Sequence, residues 1–478
     1  MVRRLRRIPE PGTIVAVGIV LAHAVWATRL QWDIHRGLGT SAYDVGLYDQ
    51  GVWLLSRFQA PFVTLMGRNL LGDHASLILF LVVPFYWVVP GTETLLAIQS
   101  VVVAAGALPV YFCARRLLSS QPQALVFAAA WLLNPAVNGA NLENFHPDSF
   151  LGLTVPLALW ALFARRWRVY AVAVVLSALV KEDVSLVLVP LGLLVALKGE
   201  TRRGLATVVG AVAASLAGMY LLMRSLIGVP TRNAWRIPFG GVTGFLKESL
   251  VRPMNVVRYL RSEGRLFYLW QMTSPFAFVF LLAPEVALVS ILVLAANVVS
   301  NFWYQFHIGY HYSLVAVPAL LFASVVGVSR IHRDNRPVAT ALVLVSSLVS
   351  AVMWTALPLG RHQYAHWPAD FPVAVQAREI MEDVPGGARI TVYHSLAPHL
   401  AHRKEVYQFP NPFRVVLYGT DISLEGTRNP AADRVEYVVL PLNLNANEAK
   451  DLATVAEEFD LWKKNESWGI WKRRPGTP

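Results

Sequence analysis

The chain has 478 residues, 55% of them hydrophobic and only 15% charged, with a mean hydropathy of +0.46. Soluble domains carry about a quarter charged residues, so this composition excludes an ordinary soluble protein and points to a polytopic membrane protein. The net charge of +12 does not call for a nucleic-acid partner, because the basic residues fall largely in short loops beside apolar runs, where a topology signal or anionic headgroups account for them.

At the N-terminus, Arg3, Arg4, Arg6 and Arg7 precede an apolar run that begins at Gly12. No small-residue cleavage site follows, so the segment reads as an uncleaved first span, and its arginines set the N-terminus in the cytoplasm. The loop 29–74 then lies outside. It contains Tyr43-Asp44-Val45-Gly46-Leu47-Tyr48-Asp49-Gln50. On an interfacial helix, five residues are about 500° of rotation, so Asp44 and Asp49 point about 140° apart and cannot form one chelate. Asp44 either caps that helix or acts as a general base, for which partial shielding at a membrane surface predicts a raised pKa. Asp49 either faces water or shares in catalysis. Asp73-His74 opens the next apolar run, either as its cap or as part of the same cavity.

Further apolar runs lie at about 75–90, 94–113, 123–137, 149–164, 168–180, 183–197, 205–227, 271–283, 285–300, 311–328 and 338–357, which predicts about 11 to 13 spans. If each run from 123 onward crosses once, Arg115-Arg116, Arg165-Arg166-Trp167-Arg168, Lys198 with Arg202-Arg203, and Arg330 with Arg333 and Arg336 share one side. Taking that side as cytoplasmic places 138–148, Lys181–Asp183, 228–270, 301–310 and everything after 358 outside. The stretch 75–113 resists this scheme. Two crossings there would leave Arg115 outside, so it crosses an odd number of times, holds a re-entrant half, or breaks the rule. Cys113, the lone cysteine, excludes a disulfide framework and reads as core packing.

Ionisable residues at membrane depth default to a functional reading. In Asn141-Leu142-Glu143-Asn144-Phe145-His146-Pro147-Asp148, Asp148 or Ser149 suffices as an N-cap, but capping needs neither Glu143 nor His146. Glu143, His146 and Asp148 form a candidate metal or proton-transfer set; carboxylate plus imidazole suits a divalent cation such as Mg or Mn holding a phosphate. Lys181-Glu182-Asp183 lies between two apolar runs without the Gly, Asn or Pro of a surface hairpin. It is either a solvated corner or a site where Lys181 meets an anionic phosphate, with Glu182 and Asp183 orienting it or binding a hydroxyl. His307 and His311 have the i, i+4 spacing of zinc ligands, but Gly309 weakens a helix there, so they read mostly as aromatic-belt structure. The loop 228–270 holds Arg232, Arg236, Lys247, Arg252, Arg258, Arg261 and Arg265, so much charge that an anionic partner such as lipid phosphate or a headgroup surface is implied.

Residues 359–478 change character. Arg389–Tyr393 and Val435–Leu440 read as strands and 447–459 as a helix, giving a soluble α/β domain after a membrane domain of residues 1–358. The chain has no Walker A motif, no dinucleotide fingerprint and no Gly-x-Ser-x-Gly elbow. That disfavours nucleotide sugars or ATP as direct donors; a group activated on the outer face would arrive on a lipid phosphate.

Tyr43 to Trp53, Asp73-His74, Phe145-His146-Pro147-Asp148 and Lys181-Glu182-Asp183, with Pro398–Arg403 through Phe409-Pro410, closely resemble the prokaryotic membrane-protein family designated domain of unknown function 2079. That family looks related to the C-type (GT-C) glycosyltransferases, multi-span enzymes that use polyprenyl-phosphate-linked sugars. The resemblance implies a mainly α transmembrane bundle of GT-C type with a small extracytoplasmic α/β domain, in the plasma membrane. It implies sugar transfer from a polyprenyl-phosphate lipid on the outer face, with Asp44 at the position of the superfamily's acidic residue in the first external loop. Val45 stands where many members carry a second acid. In this reading Lys181 and arginines of 228–270 bind donor phosphate, and His146 and Asp148 orient substrate or a metal. The alternatives are a transporter or lipid-handling protein using the same charged cavity, and a non-catalytic scaffold. Matching Gly/Pro-broken halves, which transporters often show, are absent.

Overall fold

The computed structural model describes residues 10–476 other than Arg232, Leu359 and Ala365; the arginines at 3, 4, 6 and 7 and Arg232 thus lie outside the described residues. Apolar runs become helices because only a helix satisfies its own backbone hydrogen bonds in a lipid core. Among the described residues, six helices are long and apolar enough to span: Pro11–Arg36, Thr92–Leu118, Pro147–Ala164, Thr201–Ile227, His311–Arg330 and Arg333–Trp354. Gln121–Leu133 and Pro135–Leu142 make a seventh if this pair, bent by 44°, is one span. These are fewer than the 11 to 13 apolar runs, because several runs form helices shorter than a full-length span. Trp167–Ala178 and Ser185–Leu197 have 12 and 13 residues. The region 271–300 is divided into the tight turns Ser274–Phe276 and Val279–Leu282 and the shorter apolar helix Pro284–Val299.

The run 75–90 is also no span. It folds as the tight turn Leu77–Leu81 and the single turn Val83–Tyr86, with Pro84 in its first positions. The stretch 75–113 therefore holds one helix of spanning length, the odd number that the charge pattern requires.

Helices in the bundle meet through small residues, as apolar surroundings favour. A Cβ on Gly106 would stand 2.0 Å from the Gly152 carbonyl oxygen, so their two helices touch backbone to backbone. A Cβ on Gly139 would lie 2.7 Å from the Gly309 Cα. That approach brings the loop after Leu142 against the turn before His311.

The first loop contributes β1 (Phe62–Val63) and β2 (Arg68–Asn69), a short antiparallel pair. The C-terminal region forms one mixed sheet from β3 (Ile390–Val392), β4 (Val406–Gln408), β5 (Tyr437–Pro441), β6 (Phe459–Lys464) and β7 (Trp468–Arg473), in the order β4-β3-β5-β7-β6. β3 runs parallel to β4 and β5, with Ile390 opposite Val406 and Tyr437; β7 is antiparallel to β5 and β6. The helix expected over 447–459 stops at Ala453, and Phe459 opens β6. Its start is fixed by a capping box between Asn445 and Glu448.

Among the described residues the apolar interior forms three cores, the third built from Tyr407, Phe413, Val438 and Phe459 within the C-terminal region. Trp131, Phe127 and Tyr111 are fully buried in the bundle. Val45, Val52 and Leu65 of the first loop pack with Ile390, Val392 and Ile470 of the sheet in the second. The sheet and the first loop thus share their apolar interior, which fixes the backbone around Asp44 from both sides.

Candidate active site

Asp44 sits in a wide turn, Ala42–Gly46, ahead of the helix Leu47–Ser56. Its backbone is left-handed, φ 66° and ψ −98°, a conformation that costs a non-glycine residue on the order of 1–3 kcal/mol. The C-terminal region holds the turn in place. The Ala42 amide donates to the His394 carbonyl (2.9 Å) and the Tyr43 hydroxyl to the Leu417 carbonyl (2.6 Å). The two acids do not lie on one continuous helix, yet they diverge as expected. Asp49 is 1% exposed and accepts from the hydroxyls of Tyr86 (2.5 Å) and Thr92 (3.1 Å), with His402 Nε2 at 3.0 Å.

The Asp44 carboxylate, 41% exposed, lies 3.2 Å from Nε2 of buried His146. His146 Nδ1 donates to the Asn144 carbonyl (2.9 Å). Both ring nitrogens therefore face acceptors, which requires the doubly protonated cation. Burial alone would lower the His146 pKa, but Asp44 and Glu143 outweigh it and raise it to about 9. Burial pushes the Asp44 pKa up, and the positive charges of His146, His311 and Lys181 prevail, leaving it lowered. The raised value expected from shielding is thus corrected: a neighbouring cation outweighs desolvation, and Asp44 stays ionised.

Glu143 accepts from the His311 amide (2.7 Å) and His311 Nδ1 (3.0 Å), and the His311 ring stacks on His146 at 3.7 Å. Glu143, His146 and His311 offer metal-ligating atoms within 4.8 Å of one another. With both nitrogens protonated, however, His146 has no lone pair for a cation in this arrangement. Asp148, the third member of the expected set, is turned away from it. The tight turn Pro147–Phe150 points Asp148 to Lys181, whose Nζ is 3.8 Å away.

Lys181 is buried and extended at the head of the turn Glu182–Val184, so the solvated-corner reading does not apply to it. Burial would lower its pKa, and Asp148 and Asp183 raise it instead. Glu182 accepts from the Ala75 amide (3.1 Å) and lies 2.8 Å from His74 Nδ1. Burial opposes this pair, yet the mutual attraction wins: His74 is raised and Glu182 lowered to about 2. His74, Lys181, Glu182 and Asp183 line one cavity of about 420 Å³ together with Arg236. The Arg236 guanidinium reaches the Tyr312 hydroxyl (3.2 Å), and Lys181 Nζ stands 5.5 Å from the same ring. Tyr312 follows His311, so it joins this cavity to the Asp44–His146 cluster. Asp44, Glu143, His146 and Asp148 are not among the residues lining it.

Of the loop cations expected at a phosphate, Arg236 is the one on this cavity among the described residues. Lys247, Arg252, Arg258 and Arg261 are exposed. Arg265 is fully buried against the Val298 and Ser300 carbonyls and the Tyr259 ring, a packing role. Three contributors escaped the sequence: His311, Tyr312 and Gln99. The i, i+4 spacing to His307 is the only signal for His311, and no helix joins the two. Gln99 has no local signal at all. Fully buried, it donates to the carbonyls of Asn141 (3.0 Å) and Glu143 (3.2 Å) and accepts from the His146 amide (3.0 Å), pinning the loop to the helix Thr92–Leu118.

The fold is matched by ArnT from Cupriavidus metallidurans bound to undecaprenyl phosphate, with a TM-score of 0.60 at 12% identity over 96% of this chain and 98% of that one. The apo state of the same protein gives 0.58 at 11% identity, with the same coverage. The likeness is one of architecture: this is a multi-span membrane protein of the GT-C fold with a C-terminal sheet. No curated protein matches the chain by sequence. The chain belongs to the DUF2079 family of predicted membrane proteins, whose model matches residues 34–477.

Proposed function

We propose that the protein transfers a sugar from a polyprenyl-phosphate-linked donor to an acceptor hydroxyl on the extracytoplasmic face. The observation that carries this reading is the pairing of Lys181 and Arg236 on one cavity, joined through Tyr312 to an ionised, half-exposed Asp44. A buried lysine and an arginine on one wall suit a lipid phosphate, the lysine as a point charge and the arginine as a fork. Glu182 also borders a larger groove of about 780 Å³ lined by Val174, Leu179, Leu188, Ala211 and Leu221, apolar enough for an isoprenoid chain. The ligand in the ArnT structure, a polyprenyl phosphate, belongs to the same chemical class.

The acceptor oxygen attacks the anomeric carbon, and the bond from that carbon to the phosphate oxygen breaks. Its electron pair stays on the polyprenyl phosphate, held by Lys181 and Arg236, and the acceptor proton passes to the Asp44 carboxylate. His146, already a cation, cannot take that proton. It holds the carboxylate ionised and in place. A low basicity is tolerable because phosphate leaves readily without acid help. The single spanning helix in 75–113 supports a cytoplasmic N-terminus, with the first loop and the C-terminal sheet outside.

The phosphate step is tested by titrating the protein in nanodiscs with undecaprenyl phosphate. Lys181→Ala and Arg236→Ala should each weaken binding about tenfold or more, since each removes a charge from the phosphate. Unchanged affinity in both variants would remove the lipid-phosphate reading.

A further inference from the structure

We infer that a second cavity, between the first loop and the C-terminal sheet, binds the saccharide portion of the acceptor; this rests on the transfer reading above. The cavity is about 740 Å³, within the range of small-molecule sites. One wall is the segment 54–67, including β1; the other is built from residues 404–434. Three aromatic residues line it, of which Tyr407 is almost fully buried. Phe62 is 49% exposed on a two-residue strand. Tyr418 packs on Gly67, where a Cβ would stand 2.4 Å from its ring. Gln59, Thr420 and Asn429 add amide and hydroxyl groups.

The charges on the lining cancel. Lys404 and Arg434 stand against Glu405 and Asp421, and Arg434 is already paired with Glu405 at 3.2 Å. An anion therefore finds no net attraction there. Aromatic faces beside planar amides and hydroxyls suit instead a neutral polyol, whose C–H faces stack and whose hydroxyls hydrogen-bond.

The cavity wall is also continuous with the candidate active site. Leu417 and Gly419 flank Tyr418 in sequence. The Leu417 carbonyl accepts from Tyr43, the neighbour of Asp44. The Gly419 amide donates to the Met66 carbonyl (2.9 Å), and its carbonyl accepts from Arg68 (3.3 Å), which is paired with Asp73 (2.7 Å). The cavity wall is thus tied by hydrogen bonds to the turn that carries the base.

The test measures binding of neutral trisaccharides of glucose, galactose, mannose and N-acetylglucosamine to the full-length protein in nanodiscs, without donor, by saturation-transfer NMR. At least one should bind. Phe62→Ala and Tyr418→Ala should each weaken it tenfold or more, Tyr418→Phe should preserve it, and undecaprenyl phosphate affinity should stay unchanged in all of them. The inference is overturned if no trisaccharide binds to protein that still binds undecaprenyl phosphate, or if Phe62→Ala leaves trisaccharide affinity intact. Should the wild-type protein bind no polyprenyl phosphate while Phe62-dependent saccharide binding persists, the transfer reading fails and with it the acceptor role, leaving the cavity a saccharide site only.

Discussion

Asp44 and Asp49 are five residues apart in one loop, and each meets a histidine, yet they occupy opposite physical regimes. Asp49 is sealed from water and held by Tyr86, Thr92 and His402, so the donors around it offset the cost of burying its charge. It ties the first loop to the helix Thr92–Leu118 and to the C-terminal region. Asp44 is half-exposed, sits on a left-handed backbone, and has one close cationic partner, His146. A satisfied, enclosed carboxylate builds structure. A strained, accessible one, kept ionised by a neighbouring cation, is where chemistry can take place.

The comparison can be broken most forcefully at the structural acid. Asp49→Ala removes the buried carboxylate that Tyr86, Thr92 and His402 share and should cost on the order of 2–4 kcal/mol, read as a drop in thermal unfolding temperature. An unchanged transition would mean that Asp49 is not structural. A smaller effect comes from pH. The folded His146 pKa of about 9 exceeds the unfolded value of 6.5, so its pairing stabilises the protein fully below 6.5 and less as pH rises through 9. The stability gap between wild type and His146→Gln should be on the order of 1–3 kcal/mol near pH 6 and nearly vanish by pH 10. A gap that widens with pH contradicts the assigned protonation. Smallest is the backbone effect. Asp44→Gly and Asp44→Ala both remove the partner of His146 and abolish transfer, but Asp44→Gly should be the more stable of the two by up to about 1 kcal/mol, because glycine accepts the left-handed turn freely. An Asp44→Gly protein no more stable than Asp44→Ala would show that no strain resides there.

Much of this architecture was legible in the sequence. The apolar runs located the long helices, and the polar clusters that interrupt them marked the residues that now face one another. What the sequence hid was pairing. Glu143, His146 and Asp148 look like one set within six residues, but a tight turn at Pro147 sends Asp148 to Lys181, and the vacancy beside Glu143 goes to His311, 168 residues later. Local spacing does not reveal a partner that arrives where Gly139 of one helix meets the turn at Gly309. The same holds for Gln99, an ordinary helix residue until its amide meets the 141–146 loop. The run 75–90 misled for the opposite reason: its composition suits a span, but Pro84 and the tight turn before it end the helix early.

The central claim is that Asp44, and not Asp49, takes the acceptor proton. Single-turnover sugar transfer from a polyprenyl-phosphate-linked donor, measured for Asp44→Asn and Asp49→Asn in nanodiscs and normalised to folded protein, tests it most directly. Asp44→Asn should be slowed on the order of 10²–10⁴-fold in folded protein with undecaprenyl phosphate binding intact, while folded Asp49→Asn keeps a rate within several-fold of wild type. A wild-type rate in Asp44→Asn, with the loss appearing in folded Asp49→Asn instead, would contradict it.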